Sequence, residues 1–210
     1  SYTYMGYNMS NKFFKDKNVR RALNLAVDKN EIINGVLLGF GVEATGPFLP
    51  GSWAHDPGLE PAGFNPKEAI SILKGLGYSD TDRDGYLEKD GDVFEFTVLT
   101  NQGNDQRIKT AEIMQKRLKE IGVKMNIRVL EWSVLVNEFI SKRNFDACIM
   151  GWALSPDPDC NDIWHSSKTG KGEFNFIRYN NPEVDRLLDE GRSVFDVEKR
   201  QKVYHRLQMI

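Results

Sequence analysis

Hydrophobic and polar positions alternate along this chain in short runs that can be read element by element. Tyr4, Gly6 and Asn8 alternate with Met5, Tyr7 and Met9, which predicts an opening strand. Val19, Ala22, Leu23, Ala26 and Val27 then follow a helical period behind Asp16, whose side chain can cap the first turn. Asp28 and Glu31 have capping-box spacing, so a second short helix is predicted from there to about Leu37. From Gly39 to Gly63 the periodicity stops, and Pro47, Pro50, Pro57 and Pro61 break any regular element. A long irregular stretch inside a compact domain is functional or wrapped over a surface.

Asn65-Pro66-Lys67-Glu68 is the next helix start, with Asn as cap, Pro in the first turn and Glu after it. That helix should stop near Gly75 and Gly77. A turn-rich segment, Asp80 to Asp92, leads into a strand from Val93 to Thr100 on which Phe94, Phe96 and Val98 share a face. Asn104 or Asp105 opens a long helix with the stripe Ile108, Ala111, Met114, Leu118 and Ile121, ended by Gly122. Val123, Met125, Ile127 and Val129 alternate with Lys124, Asn126 and Arg128, the pattern of a half-buried strand. Trp132, Leu135, Val136, Phe139 and Ile140 have helical spacing. Ala147 to Met150 is an unbroken apolar run, expected for a central strand covered on both faces. Asn181-Pro182-Glu183 opens a helix through Leu188, and a last helix from Val197 carries Val203, Leu207 and Ile210 in register. It meets no stop signal, so the chain is expected to be cut in mid-element.

Strand, helix, strand, helix, strand from Val93 to Met150 is the order that builds an α/β sheet. Ligands of such sheets sit beyond the carboxyl ends of the strands. Thr100-Asn101-Gln102-Gly103 forms one such end; Gly151-Trp152 with Ser155 to Asp159 forms another. Both carry polar or aromatic groups where plain turn residues would suffice.

Composition narrows the classes. The 210 residues are 40% hydrophobic, enough for a sizeable core, and 28 Lys+Arg stand against 30 Asp+Glu. That balance argues against nucleic acid as a partner, because neutralising phosphates needs a basic surplus on one face. No apolar run is long enough for a membrane-spanning helix. Ser1 to Asn8 has neither the basic nor the apolar region of a signal peptide, which is expected to have been removed or never included. Cys148 and Cys160 read as two buried free thiols in preference to a disulfide. Cys160 with His165 supplies two zinc ligands where a structural site needs four, so no metal or other cofactor is expected.

Asp157, Asp159 and His165 form a candidate acid/base set for a hydrolase, or the acids simply cap the turn before Ile163. No nucleophile sits in a strained-turn motif, so no catalytic residue is assigned. Asp80-Thr81-Asp82-Arg83-Asp84-Gly85 matches the first half of a calcium loop, but Gly91 stands where the bidentate Glu belongs, so Glu88 and Asp90 would have to substitute in a variant geometry. An Asp/Gly-rich hairpin accounts for the same residues. Gly39-Phe40-Gly41-Val42-Glu43-Ala44 follows a helix, not the strand a dinucleotide site requires, and Thr169-Gly170-Lys171-Gly172 lacks the P-loop ends. Trp132 fits a core stripe or a ligand platform, and Trp152 stands at a strand mouth. Arg107, in a first helical turn, is either solvated or holds a carboxylate.

These residues resemble a known family. Phe14-Lys15-Asp16-Lys17-Asn18-Val19-Arg20-Arg21-Ala22-Leu23 with Ala26-Val27-Asp28-Lys29 is similar to the entry into the second lobe of family 5 extracellular solute-binding proteins, the oligopeptide, dipeptide and nickel receptors of ABC importers. Gly46-Pro47, Tyr78 to Gly91, Leu99-Thr100-Asn101, Glu131-Trp132, Gly151-Trp152, Asp157-Pro158-Asp159, Trp164-His165-Ser166-Ser167 and Tyr179-Asn180-Asn181-Pro182-Glu183-Val184-Asp185 continue the resemblance in order. It implies an α/β fold with a mixed sheet flanked by helices, as one lobe of a bilobed periplasmic-binding-protein-like (type II) architecture. Residues 1–210 would be that single lobe, truncated at both ends. The implied function is solute capture by hinge closure, without catalysis, on the periplasmic or outer face of the cytoplasmic membrane, with a lipoprotein anchor as one mode of attachment. The implied partners are an oligopeptide (or a sugar or other small solute), the first lobe of the same protein, and an ABC permease. The implied ligand-binding residues are Asn101, Gln102, Arg107, Trp132, Trp152, Asp157, Asp159 and, from the Gly172-x-x-Asn spacing, Asn175. One departure stands out: Ser155 occupies the position from which peptide-binding members present an Asp to the ligand's amino terminus, a role Asp157 or Asp159 would have to assume. Ile149 likewise sits where some oligopeptide receptors place an Arg.

Overall fold

The computed structural model describes residues 1–210. Its main sheet has four strands. β4 (Glu95–Asn101) runs parallel to β5 (Lys124–Leu130) on one side and to β6 (Ala147–Trp152) on the other. β1 (Tyr2–Tyr7) closes the far side of β6 in antiparallel register, Tyr2 opposite Trp152 and Tyr7 opposite Ala147. The sheet is therefore mixed, as expected, and the apolar run at Ala147 to Met150 lies in its interior.

Alternation on β6 divides the core in two. Ala147 and Ile149 face a cluster of 23 buried residues, while Cys148 and Met150 face a second cluster of 8. The larger cluster is built on α1 (Lys17–Leu25), α3 (Pro66–Gly75) and α4 (Asp105–Glu120), with Phe14, Leu23, Leu73, Phe94, Phe96 and Leu118 buried in it. Each such side chain contributes about 1.5–3 kcal/mol relative to exposure. The caps read from the sequence are formed. Asp16 accepts from Asn18 N, and Asp28 caps α2 (Lys29–Gly35) through Asn30 N and Glu31 N. Asn65, Asn104 and Asn181 cap α3, α4 and α7 (Pro182–Ser193). Gly122, with φ 79°, turns the chain out of α4.

Several expectations change in detail. The helix predicted from Trp132 is a single α turn, α5 (Trp132–Val134), followed by a π-helical stretch over Leu135–Ile140. Ser141 N bonds Val136 O at 2.8 Å and Asn144 N bonds Phe139 O at 2.9 Å, so the wider turn sets the spacing. Leu135 and Ile140 are buried, whereas Trp132 is 48% exposed and leaves the predicted stripe. Val129, two steps along β5 from the buried Met125 on the same face, is exposed. Ile210 lies past the end of α8 (Val197–Gln208) and is exposed.

The irregular Gly39 to Gly63 segment proves to be a wrap. Phe48 and Ala54 enter a third cluster with Val184, Leu187, Leu188, Val203, Tyr204 and Leu207 of α7 and α8. Gln201 Nε2 donates to Trp53 O, and Gln208 Nε2 to Ala54 O, each at 2.8 Å. The Asp/Gly-rich segment ends in a hairpin of β2 (Glu88–Lys89) and β3 (Asp92–Val93). Carboxylate oxygens of Asp80, Asp82, Asp84 and Glu88 lie within 4.8 Å of one another. They accept from the loop's own groups: Asp80 from Gly85 N, Asp82 from Asp84 N, and Glu88 from Thr81 N and Oγ1.

Candidate functional site

From β4 the chain crosses to β5 through α4 on one face of the sheet. It then returns past β4 to β6 through α5 and the π turn on the other face, because Ala111, Met114 and Leu118 of α4 join the first cluster and Leu135 and Ile140 the second. Adjacent connections leaving to opposite faces open a crevice beyond the carboxyl ends of the two strands, here β4 and β6. Asn101 ends β4 and Trp152 ends β6.

Arg107 spans this crevice. Asn104 Oδ1 caps its backbone N–H at 3.0 Å, which places the side chain in the first turn of α4. Its Nη1 donates to Asn101 Oδ1 at 2.8 Å, and its Nη2 lies 3.1 Å from where a Cβ on Gly151 would stand. The guanidinium meets no acid in an ion pair. A cation at a helix start is opposed by the helix dipole, so an anionic ligand group would be welcome there. Gln102 is exposed beside it. Trp152 is half-buried, edge-on to Phe174 (centroids 5.5 Å, 79°) and stacked on Phe176 (6.1 Å, 29°). Phe174, at 52% exposure, and Trp132 leave aromatic faces open to solvent.

The acidic loop is arranged differently from the sequence reading. Asp157 is gripped by Arg200 through Nη1 and Nη2 at 2.8 and 2.7 Å, and these hydrogen bonds hold its carboxyl below the usual carboxylate range. Asp159 accepts from Arg192 Nε at 2.8 Å and, at 3.0 Å, from the N–H of Asn161, which opens the short helix α6 (Asn161–Trp164). With Ser155, Val194 and Phe195 these four side chains line a cavity of about 610 Å³. Arg192 and Arg200 escaped the sequence analysis because they come from α7 and α8, with nothing local to link them to the loop.

Asn175 is fully buried. Its Nδ2 donates to His165 O at 3.0 Å and Tyr179 O at 2.8 Å, and its Oδ1 accepts from Tyr179 N at 2.9 Å. The amide is turned inward to hold the loop, not outward to a solute. His165 stands apart from the acids suggested as its partners. Its ring nitrogens lie 3.9 Å from Asp185 and 3.6 Å from Asp189, and its Nδ1 is 2.8 Å from Ser167 Oγ. Cys148 and Cys160 are free and buried, and burial pushes both thiols up to about 12.

Comparison with known proteins follows the same lines. The family model described as bacterial extracellular solute-binding proteins, family 5 Middle, matches residues 1–174. The chain is 41% identical over 210 residues to the oligopeptide-binding protein AppA of Bacillus subtilis (strain 168), covering 99% of this chain and 38% of that protein. It is 30% identical to heme-binding protein A of Haemophilus influenzae, covering 99% of this chain and 36% of that one. The structure of AppA in complex with a nonapeptide superposes with a TM-score of 0.93, over 99% of this chain and 42% of that chain at 41% identity. NikZ from Campylobacter jejuni in complex with Ni(L-His) superposes at 0.88, over 99% and 42%, at 30% identity. The chain thus spans well under half the length of these relatives. With the family model covering most of its length, the chain belongs to the bacterial extracellular solute-binding proteins of family 5.

Proposed function

We propose that residues 1–210 form one lobe of the solute-binding component of an ABC importer, which closes on an oligopeptide against a first lobe elsewhere in the same protein. The observation that carries this reading is Arg107 seated between the ends of β4 and β6, charged and without an acid partner, where Trp152 ends β6. A peptide offers the matching groups: a carboxylate for Arg107, backbone amides for Asn101 and Gln102, and apolar side chains for Trp132 and Trp152. In this reading no bond is made or broken, the protein works on the outer face of the cytoplasmic membrane, and its receiving partner is the permease. Asp157 and Asp159 act with Arg200 and Arg192 as a braced rim, and Asn175 supports the loop behind it. The similarity to AppA supports the peptide class.

Native mass spectrometry of the full receptor should show a retained or exchangeable peptide. An R107A exchange should weaken peptide binding about tenfold or more, the worth of a charge-assisted hydrogen bond. A full receptor that retains no solute, or an R107A receptor with unchanged affinity, would sink the reading.

A further inference from the structure

We propose a calcium site in the loop that precedes β2: one ion held by the carboxylates of Asp80, Asp82, Asp84 and Glu88. These acids offer oxygens that all lie within 4.8 Å of one another. Calcium takes oxygen ligands at about 2.3–2.6 Å, so ligands on opposite sides of it stand roughly 5 Å apart, and one ion can touch all four. Glu88 supplies the closing carboxylate that Gly91 cannot, and Asp90 stays outside the group.

Each acid commits one oxygen to the loop and leaves the other free. Asp80 Oδ2 accepts from Gly85 N at 3.1 Å, Asp82 Oδ1 from Asp84 N at 3.1 Å, and Asp84 Oδ1 from Tyr86 N at 2.8 Å. Glu88 Oε2 accepts from Thr81 N at 2.7 Å and Thr81 Oγ1 at 2.9 Å. No Lys, Arg or His forms an ion pair with any of the four. Four negative charges therefore converge with nothing to offset them.

A separate observation points to a ligand. Glu88 Oε1 is shut off from solvent and meets no hydrogen-bond donor. A carboxylate oxygen stripped of water and left unpaired is costly, and such an orphan in a native fold marks a bound water or ion. A water would satisfy that one oxygen, whereas a cation also offsets the three charges beside it. Calcium suits this donor set better than magnesium, which keeps several of its waters and demands near-ideal octahedral geometry.

The loop is tied into the fold where an ion would matter. Leu87 is buried in the largest cluster; its N–H donates to Gly122 O, and its carbonyl accepts from Phe94 N, each at 2.7 Å. Phe94 precedes β4 and Gly122 lies just before β5, so the site sits at the amino-terminal ends of these strands, away from Asn101 and Arg107. Bound calcium here braces the fold, independently of the peptide reading.

The test titrates the intact protein, stripped with EDTA, with calcium chloride and separately with magnesium chloride, by calorimetry and by thermal midpoint. D82N and E88Q run beside the parent. A saturable calcium response is expected below ~10 mM, with affinity at least about tenfold lower in each variant. The parent midpoint should rise with calcium. In EDTA, D82N should be no less stable than the parent, because the amide keeps an acceptor for Asp84 N and removes a like charge. That crossing of stabilities is not what a merely structural aspartate would give. No saturable calcium response, a response that both variants leave unchanged, or an equal response to magnesium overturns the proposal.

Discussion

Arg107 Nη1 and Asn101 Oδ1 are 2.8 Å apart, so the first turn of α4 is tied to the last residue of β4. The arrangement depends on Gly151 of the neighbouring strand. A Cβ there would sit 3.0 Å from Tyr2 O and 3.1 Å from Arg107 Nη2. The arginine can swing aside, but the Tyr2 carbonyl belongs to β1 in its pairing with β6 and has little room. A G151A exchange should cost about 1–3 kcal/mol in urea unfolding, as overpacking does, and should displace Arg107. Parental stability in that variant would show that the β1–β6 spacing tolerates the methyl group.

The pair of Asp157 and Arg200 makes a prediction about acid. Arg200 holds the folded-state pKa of Asp157 below its unfolded value, so the stabilisation is present above that unfolded value, near ~3.9, and is lost as the pH falls through the folded one. D157N should be less stable than the parent near neutral pH. The difference should not exceed about 1 kcal/mol, because the Asp157 side chain is 53% exposed. Chemical unfolding across pH should show the gap closing as acid is added below ~pH 3.9. A gap that stays constant in acid would mean the loss comes from something other than the ion pair.

Asn175 separates a structural from a ligand-contacting role. An N175A exchange removes the donor to His165 O and Tyr179 O and the acceptor of Tyr179 N, from a fully buried side chain whose partners are partly buried. Stability should fall by roughly 2–4 kcal/mol, since each orphaned buried group costs about 1–3 kcal/mol. Peptide affinity of the folded fraction should be unchanged when measured by calorimetry. Normal stability with lost affinity would return Asn175 to the solute-contacting set.

Much of the fold was legible because it is local. Asp16, Asp28, Asn65, Asn104 and Asn181 announce their helices within a few residues, and the apolar run at Ala147 to Met150 announces a strand covered on both faces. The π turn at Leu135–Ile140 was not legible, because the apolar spacing of a wide turn satisfies the α template over so short a run. Trp132 left its predicted stripe for the same reason.

The candidate site divides along the same line. The sequence by itself determined which strand ends carry polar and aromatic groups, since Asn101, Gln102, Arg107 and Trp152 sit within a few residues of a strand's end or the next helix's start. Only the tertiary structure decided which of those groups are free to meet a solute. Arg192 and Arg200, distant in sequence, neutralise Asp159 and Asp157, while the fold of residues 164–179 turns the Asn175 amide inward. Periodicity records which face a residue presents, but charge pairing between distant segments is set by the packing of α7 and α8 against the loop, and no local pattern encodes that distance.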